Sequence, residues 1–165
     1  MTTKKQPNLA LYEKMVGLPF GRWLFSKVVC FKAPYFSSIK PRIDILEPGR
    51  ATVTIRKRRA VQNHIGTVHA IAMCNMAELA GGMMTDVTIP TSHRWIPKGL
   101  QAEYLQKATT GLTARASVET PEDWPDACEL TARVDIYDDD DVVVSRFSIP
   151  MWVTAKGART APMPS

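Results

Sequence analysis

"NHIGTVHAIAMCNMAELAGG" (residues 63–82) sets two histidines and one glutamate in an otherwise apolar stretch. The apolar run from about Val68 to Met84 is long enough for a helix of four to five turns. It is apolar on every side, which predicts a helix buried all round. "LAGG" followed by Pro90 marks its expected end. Glu78 lies in the middle of that run and His69 at its start. A buried carboxylate is costly unless it is paired or neutralised. Either a core partner such as Arg115 or Arg133 compensates Glu78, or the group is kept for chemistry.

On both sides of this segment the period changes to two. Upstream, "IKPRIDILEPGRATVTIRKRRA" (39–60) alternates Ile43, Ile45, then Ala51, Val53, Ile55 around a Pro-Gly turn, the pattern of a β-hairpin. Downstream, "HRWIPKGLQAEYLQKA", "GLTARASVE", "ACELTARVDIYD" and "DVVVSRFSIPMWVTA" read as strands, separated by "TTG", "TPEDWPD" and "DDDD". The acidic run 138–141 reads as a solvated hairpin turn. Further upstream, "LALYEKMVG" and "FGRWLFSKVVCF" look helical and amphipathic. The second piece is a helix packed on the core, a lid over an acyl pocket, or a membrane-facing surface. Strands without intervening helices form an antiparallel sheet, and one helix buried all round must be wrapped by that sheet. The expected fold is α+β of the hot-dog type, with extra N-terminal helices. The expected organisation is a helical extension over 1–38, a hot-dog domain over 39–154, and a disordered tail over 155–165.

The chain has 165 residues, 45 % of them hydrophobic and 22 % charged, which suits one ordinary globular domain. Cys30, Cys74 and Cys128 lie far apart and form no disulfide framework. No zinc spacing is present either, and the set His64, His69, Cys74, Glu78 matches no usual ligand pattern. No secretory signal or spanning helix is read, so a cytoplasmic protein without stable membrane insertion is expected. The net charge of +5 suits an anionic ligand. Nucleic acid is not expected, because "RKRR" (56–59) has no accompanying recognition motif.

Asn63, Gly66 and His69 make an N-x-x-G-x-x-H motif, with an acid nine residues after the histidine at Glu78. This pattern resembles the hot-dog acyl-CoA thioesterases of the phenylacetate-pathway type, and "WIPKGLQAEYLQKATTGLTARASVE" is similar to the strand pair that follows the helix in that superfamily. The resemblance covers roughly residues 39–154. It implies that Glu78 is the nucleophile or the base that activates water. It also implies that the Ala70 N–H polarises the thioester carbonyl, that Asn63 holds the water or substrate, and that His69 orients the site, with Gly66 in the same loop. Two departures stand out. Ala70-Ile71 replaces the usual Gly-Gly, and Pro97 stands near the place of a Ser or Thr, which Thr91 or Ser92 would have to replace.

The chemistry of thioester hydrolysis fits these residue types independently. It needs an activated water and donors at the forming oxyanion, and a helix N-terminus supplies such donors. No cofactor is called for beyond the coenzyme A moiety of an acyl-CoA substrate. Read as a strand end, "RKRR" sends Arg56 and Arg58 to one face, where they could bind coenzyme A phosphates, and Lys57 and Arg59 to the other. Nine residues correspond to about 900° of helical rotation, placing His69 and Glu78 on opposite faces. Acting together, they would come from two subunits of a homodimer, or of a homotetramer built as a dimer of dimers. Two other functions compete: a hot-dog dehydratase or hydratase using His64 and Glu78, and a non-catalytic acyl-binding protein.

Overall fold

The computed structural model describes residues 5–157. Two helices open the chain, α1 (Pro7–Val16) and α2 (Gly21–Lys32), followed by a 3-10 helix over Pro34–Ile39. Strands β1 (Arg42–Glu47) and β2 (Arg50–Ile55) lead through a second 3-10 turn (Arg59–Val61) into α3 (Ala70–Thr88). Five strands complete it: β3 (His93–Pro97), β4 (Gln101–Tyr104), β5 (Leu112–Ser117), β6 (Ala127–Tyr137) and β7 (Val143–Ala155). All pair antiparallel in the order β1-β2-β5-β6-β7-β3, with β4 also on β7. This is the expected α+β hot-dog arrangement. Of the expected disordered tail, residues 158–165 lie outside the described residues, and Ala155 still belongs to β7.

One face of the sheet carries the core. Val53, Ala114, Ala132, Val134, Ile149 and Met151 alternate with less buried neighbours and share the core with Met76, Ala77, Ala80 and Met84 of α3. In β1 the alternation fails after Ile43. A bulge between Ile43 and Ile45 shifts the register, so Leu46 is buried where Ile45 was expected.

α3 does not stop at "LAGG". It runs through both glycines to Thr88 and ends where Ile89, extended ahead of Pro90, cannot continue it. The glycines serve close approach: a Cβ on Gly81 would lie 3.3 Å from Ile149 Cδ1, and one on Gly82 3.0 Å from the Trp95 ring. Neither is α3 buried all round. α1 covers only its last turns, through Asn8 Nδ2 donating to Asp86 Oδ2 (2.7 Å) and Gln6 Nε2 to the Ile89 carbonyl (2.8 Å). On the outer face of the earlier turns Cys74 is half-buried against Tyr104 of β4, while Ile71 and Glu78 are exposed.

The two N-terminal helices share the core. Tyr12 and Phe25 stack edge to face at 5.1 Å, and the Tyr12 hydroxyl donates to the Asp44 carbonyl at 2.7 Å. Ser26 Oγ accepts the Ile43 N–H at 2.8 Å, which closes the β1 edge of the sheet. The opposite edge, β3 and β4, pairs only with β7 among the described residues.

Candidate functional site

The loop ahead of α3 is held by Asn63. Its Oδ1 accepts the Ile65 and Thr67 N–H groups, both at 3.1 Å, and its Nδ2 donates to Thr67 Oγ1 at 2.8 Å. Asn63 therefore turns its polar atoms into the loop, with one Nδ2 hydrogen left over. Gly66 sits at φ +78, where side chains are strained, and a Cβ there would meet nothing within 4 Å. Gly66→Ala should thus lower stability by about 1–2 kcal/mol through backbone strain alone, read as a lower urea midpoint with unchanged slope.

His69 is the N-cap of α3, with Nδ1 accepting the Ile71 N–H at 3.1 Å. With Nδ1 an acceptor, the ring proton sits on Nε2 and is free to donate outward. The Ala70 N–H has no partner among the described residues, as expected for the first residue of a helix. The Ala70 N–H and the His69 ring thus both lie at the positive end of a 19-residue helix.

Glu78 departs from expectation. It is exposed and forms no ion pair or hydrogen bond among the described residues, so neither Arg115 nor Arg133 compensates it. Arg115 is paired with Asp141 at 2.6 Å. The rotation argument also changes. His69 lies outside the helix in extended conformation (φ −66, ψ 139) with its ring capping the Ile71 N–H, so helical rotation counted over nine residues does not apply to it. About 12 Å of helix axis separates Ala70 from Glu78. His64 is an exposed loop residue, and Pro97 is exposed at the end of β3.

Beside the helix entrance lies a cavity of about 170 Å³, lined by Tyr35, Ser38, Val61, His69, Ala72 and Asn75 among others. Arg56 and Arg58 do not line it. β2 ends at Ile55 because its partner β5 starts at Leu112, so "RKRR" never alternates as a strand. Arg56, Lys57 and Arg58 instead all line one open groove of about 1260 Å³ beside α2. The structure therefore puts the expected phosphate ligands and His69 on different cavities.

Two polar side chains of this region escaped the sequence reading. Asn75 is 5 % exposed; its Nδ2 donates to Ser38 Oγ at 3.0 Å while its Oδ1 has no partner among the described residues. Its signal was there, as the only other polar group in "AIAMCNMAELA". Tyr104, from the edge strand β4, reaches Cys74 Sγ (3.1 Å) and the Ala70 carbonyl (3.4 Å). Partial burial and then the Cys74 contact push its phenol up to about 12, which keeps it protonated. Cys74 and Glu78 are one turn apart on the same face, so Tyr104 borders the Glu78 surface. No local pattern marks Tyr104, because the contact is made by β4 returning over α3.

Residues 21–153 match the family model described as a domain of unknown function, DUF4442. A genomics crystal structure, APC5556, is 45 % identical at a TM-score of 0.78, covering 90 % of this chain and 98 % of that one. A thioesterase from Haemophilus influenzae is 13 % identical, with a TM-score of 0.65 over 76 % of this chain and 87 % of its own. A thioesterase-family protein from Silicibacter pomeroyi is 17 % identical, with a TM-score of 0.68 over 84 % and 100 %. These two likenesses show a shared fold. No curated protein matches the chain.

Proposed function

The chain belongs to the DUF4442 family and has the hot-dog fold, and on that premise we propose that it is an acyl thioesterase whose site joins two copies of the chain. The observation that carries this reading is Glu78, an exposed carboxylate on α3 with no partner among the described residues. An isologous contact would set the Glu78 face against the helix entrance of a second copy. The Glu78 carboxylate then takes a proton from water as the water oxygen attacks the thioester carbon. The carbonyl oxygen gains charge and is held by the Ala70 N–H and His69 Nε2–H of the other copy. The C–S bond breaks, and the proton returns to the leaving thiol, giving an acid and a free thiol. Coenzyme A is the proposed carrier, and Asn63 and Gly66 hold the loop that sets the two donors. Tyr104 is a positioning residue beside Cys74.

Release of free thiol from a panel of acyl-CoA thioesters, run beside an enoyl-CoA hydration assay, tests the reading. Thiol release without hydration is expected. Hydration would assign the site to the dehydratase class, and tight acyl-CoA binding without either reaction would make the protein a binding module. The two-chain site has its own test. Glu78→Gln and His69→Ala chains are each expected to be inactive, and refolding them together should restore about a quarter of the parental activity by random pairing, one intact site in each heterodimer. An active monomer in sedimentation would rule that site out.

A further inference from the structure

α2 carries two apolar faces, and its own fold uses only one. Gly21, Phe25, Val28 and Val29 face inward. Trp23, Leu24, Lys27, Cys30 and Phe31, together with Phe20 at the N-cap, occupy an arc of about 120° on the outer side. Phe20 is 84 % exposed, Phe31 89 %, Trp23 54 % and Leu24 45 %. Such a concentration of large apolar side chains on one exposed helix marks an interaction surface. Phe20 adds a second sign: a bulky residue held at φ +60, with no burial of its ring to offset the strain.

Cations line one flank of the arc. Lys27 lies 5.5 Å from the centre of the Trp23 ring. The groove along this flank is lined by Lys27, Lys40, Arg42, Arg56, Lys57 and Arg58 against a single acid, Asp139. Of these cations only Arg42 has an ion-pair partner among the described residues, Asp44 at 2.6 Å. Aromatic rings flanked by unpaired cations suit the boundary between anionic lipid headgroups and acyl chains. They do not suit a second copy, which would bring the same cations face to face. No helix among the described residues is long and apolar enough to cross a membrane, so the contact is with the surface.

We propose that the outer face of α2 docks the protein onto an anionic lipid bilayer. Phe20, Trp23, Leu24 and Phe31 enter the headgroup boundary, while Lys27, Lys40, Arg56 and Lys57 meet lipid phosphates. This is independent of what the α3 site catalyses.

The test is co-sedimentation of the full chain with vesicles. Partition should be at least about 10-fold stronger onto phosphatidylcholine with about 30 % phosphatidylglycerol than onto phosphatidylcholine alone, and should weaken in about 0.5 M salt. A variant with Phe20→Gly, Trp23→Ser and Phe31→Ser should lose about 10-fold or more of that partition. Its Tm should hold, because these rings are exposed and glycine relieves the left-handed backbone at position 20. Lys27→Gln with Lys40→Gln changes only exposed side chains and should weaken binding to the anionic vesicles alone. Failure to partition, equal partition onto both vesicles, or parental binding by both variants would overturn the proposal. So would a dimer that the aromatic variant dissociates, since the face would then belong to a second copy. A Lys27→Gln, Lys40→Gln variant with a raised KM for acyl-CoA and unchanged vesicle binding would return the groove to the thioester.

Discussion

Glu78→Gln is expected to lower thioester turnover by about 100-fold or more, close to 2.7 kcal/mol of transition-state stabilisation. The change keeps the shape of the side chain and removes only the group that takes a proton. Folding should be unaffected, because Glu78 is exposed and has no hydrogen bond or ion pair among the described residues to lose. If it acts as a base, kcat should fall with kcat/KM while binding of the acyl-CoA is retained. Asp86 supplies the contrast. It is the other carboxylate of α3, and it is already held by Asn8 and by Trp95 Nε1 at 3.4 Å. Asp86→Asn should therefore leave turnover near the parental value while loosening the contact of α1. The assay is initial-rate thiol release by both variants, with circular dichroism as the control for folding. Near-parental turnover by Glu78→Gln would remove Glu78 from the chemistry.

The largest expected effect on stability lies elsewhere, at Gly21. A Cβ there would stand 1.6 Å from the Met15 carbonyl oxygen and 2.6 Å from its carbon. Both are backbone atoms that cannot swing away like the end of a side chain. The corner is already closed by Leu18 N–H donating to Met15 O and Gly21 N–H to Leu18 O, each at 2.9 Å. Relief would require α1 and α2 to separate, pulling Tyr12 and Met15 away from Phe25 in the core. Gly21→Ala should cost about 3 kcal/mol, the upper end of overpacking. At this chain length that is a fall in Tm of about 6–12 °C. Gly17→Ala, four residues away, meets nothing within 4 Å and should change Tm little. Thermal unfolding of the pair reads the packing of this corner directly; equal Tm values would mean that the helices do not meet as described.

The proposals for α3 and for α2 rest on different surfaces and can fail separately. Glu78 depends on what a second copy brings to its exposed carboxylate. The α2 arc depends on what covers four exposed apolar side chains beside a groove of cations.

Much of this molecule is legible in local pattern. The two-residue period of "RATVTI" and "LTARAS", the Pro-Gly turn at 48–49 and the apolar run of α3 are local consequences of which side chains water rejects. They are enough to order the elements and to require a sheet on one long helix. Asn63, Gly66 and His69 were singled out by resemblance to a family motif; the structure puts them in and just after one loop ahead of α3, with Gly66 at positive φ. Local pattern went astray where a distant segment decides. "LAGG" followed by Pro90 reads as the helix end; the helix stops only ahead of Pro90, and Gly81 and Gly82 instead give Ile149 and Trp95 room to approach closely. "RKRR" reads as a strand end, yet strand pairing stops at Ile55 because β5 begins only at Leu112. The exposure of Glu78 is of the same kind. Composition makes α3 apolar nearly all round, but the reach of α1, which ends at Asp86 and Ile89, and of Tyr104 from β4 decides which turns stay open. Periodicity records the preference of each residue for water or core, and so determines the elements. Which groups meet, which cavity a cation lines and which face is left bare depend on contacts between residues far apart in the chain, and those only the tertiary structure decides.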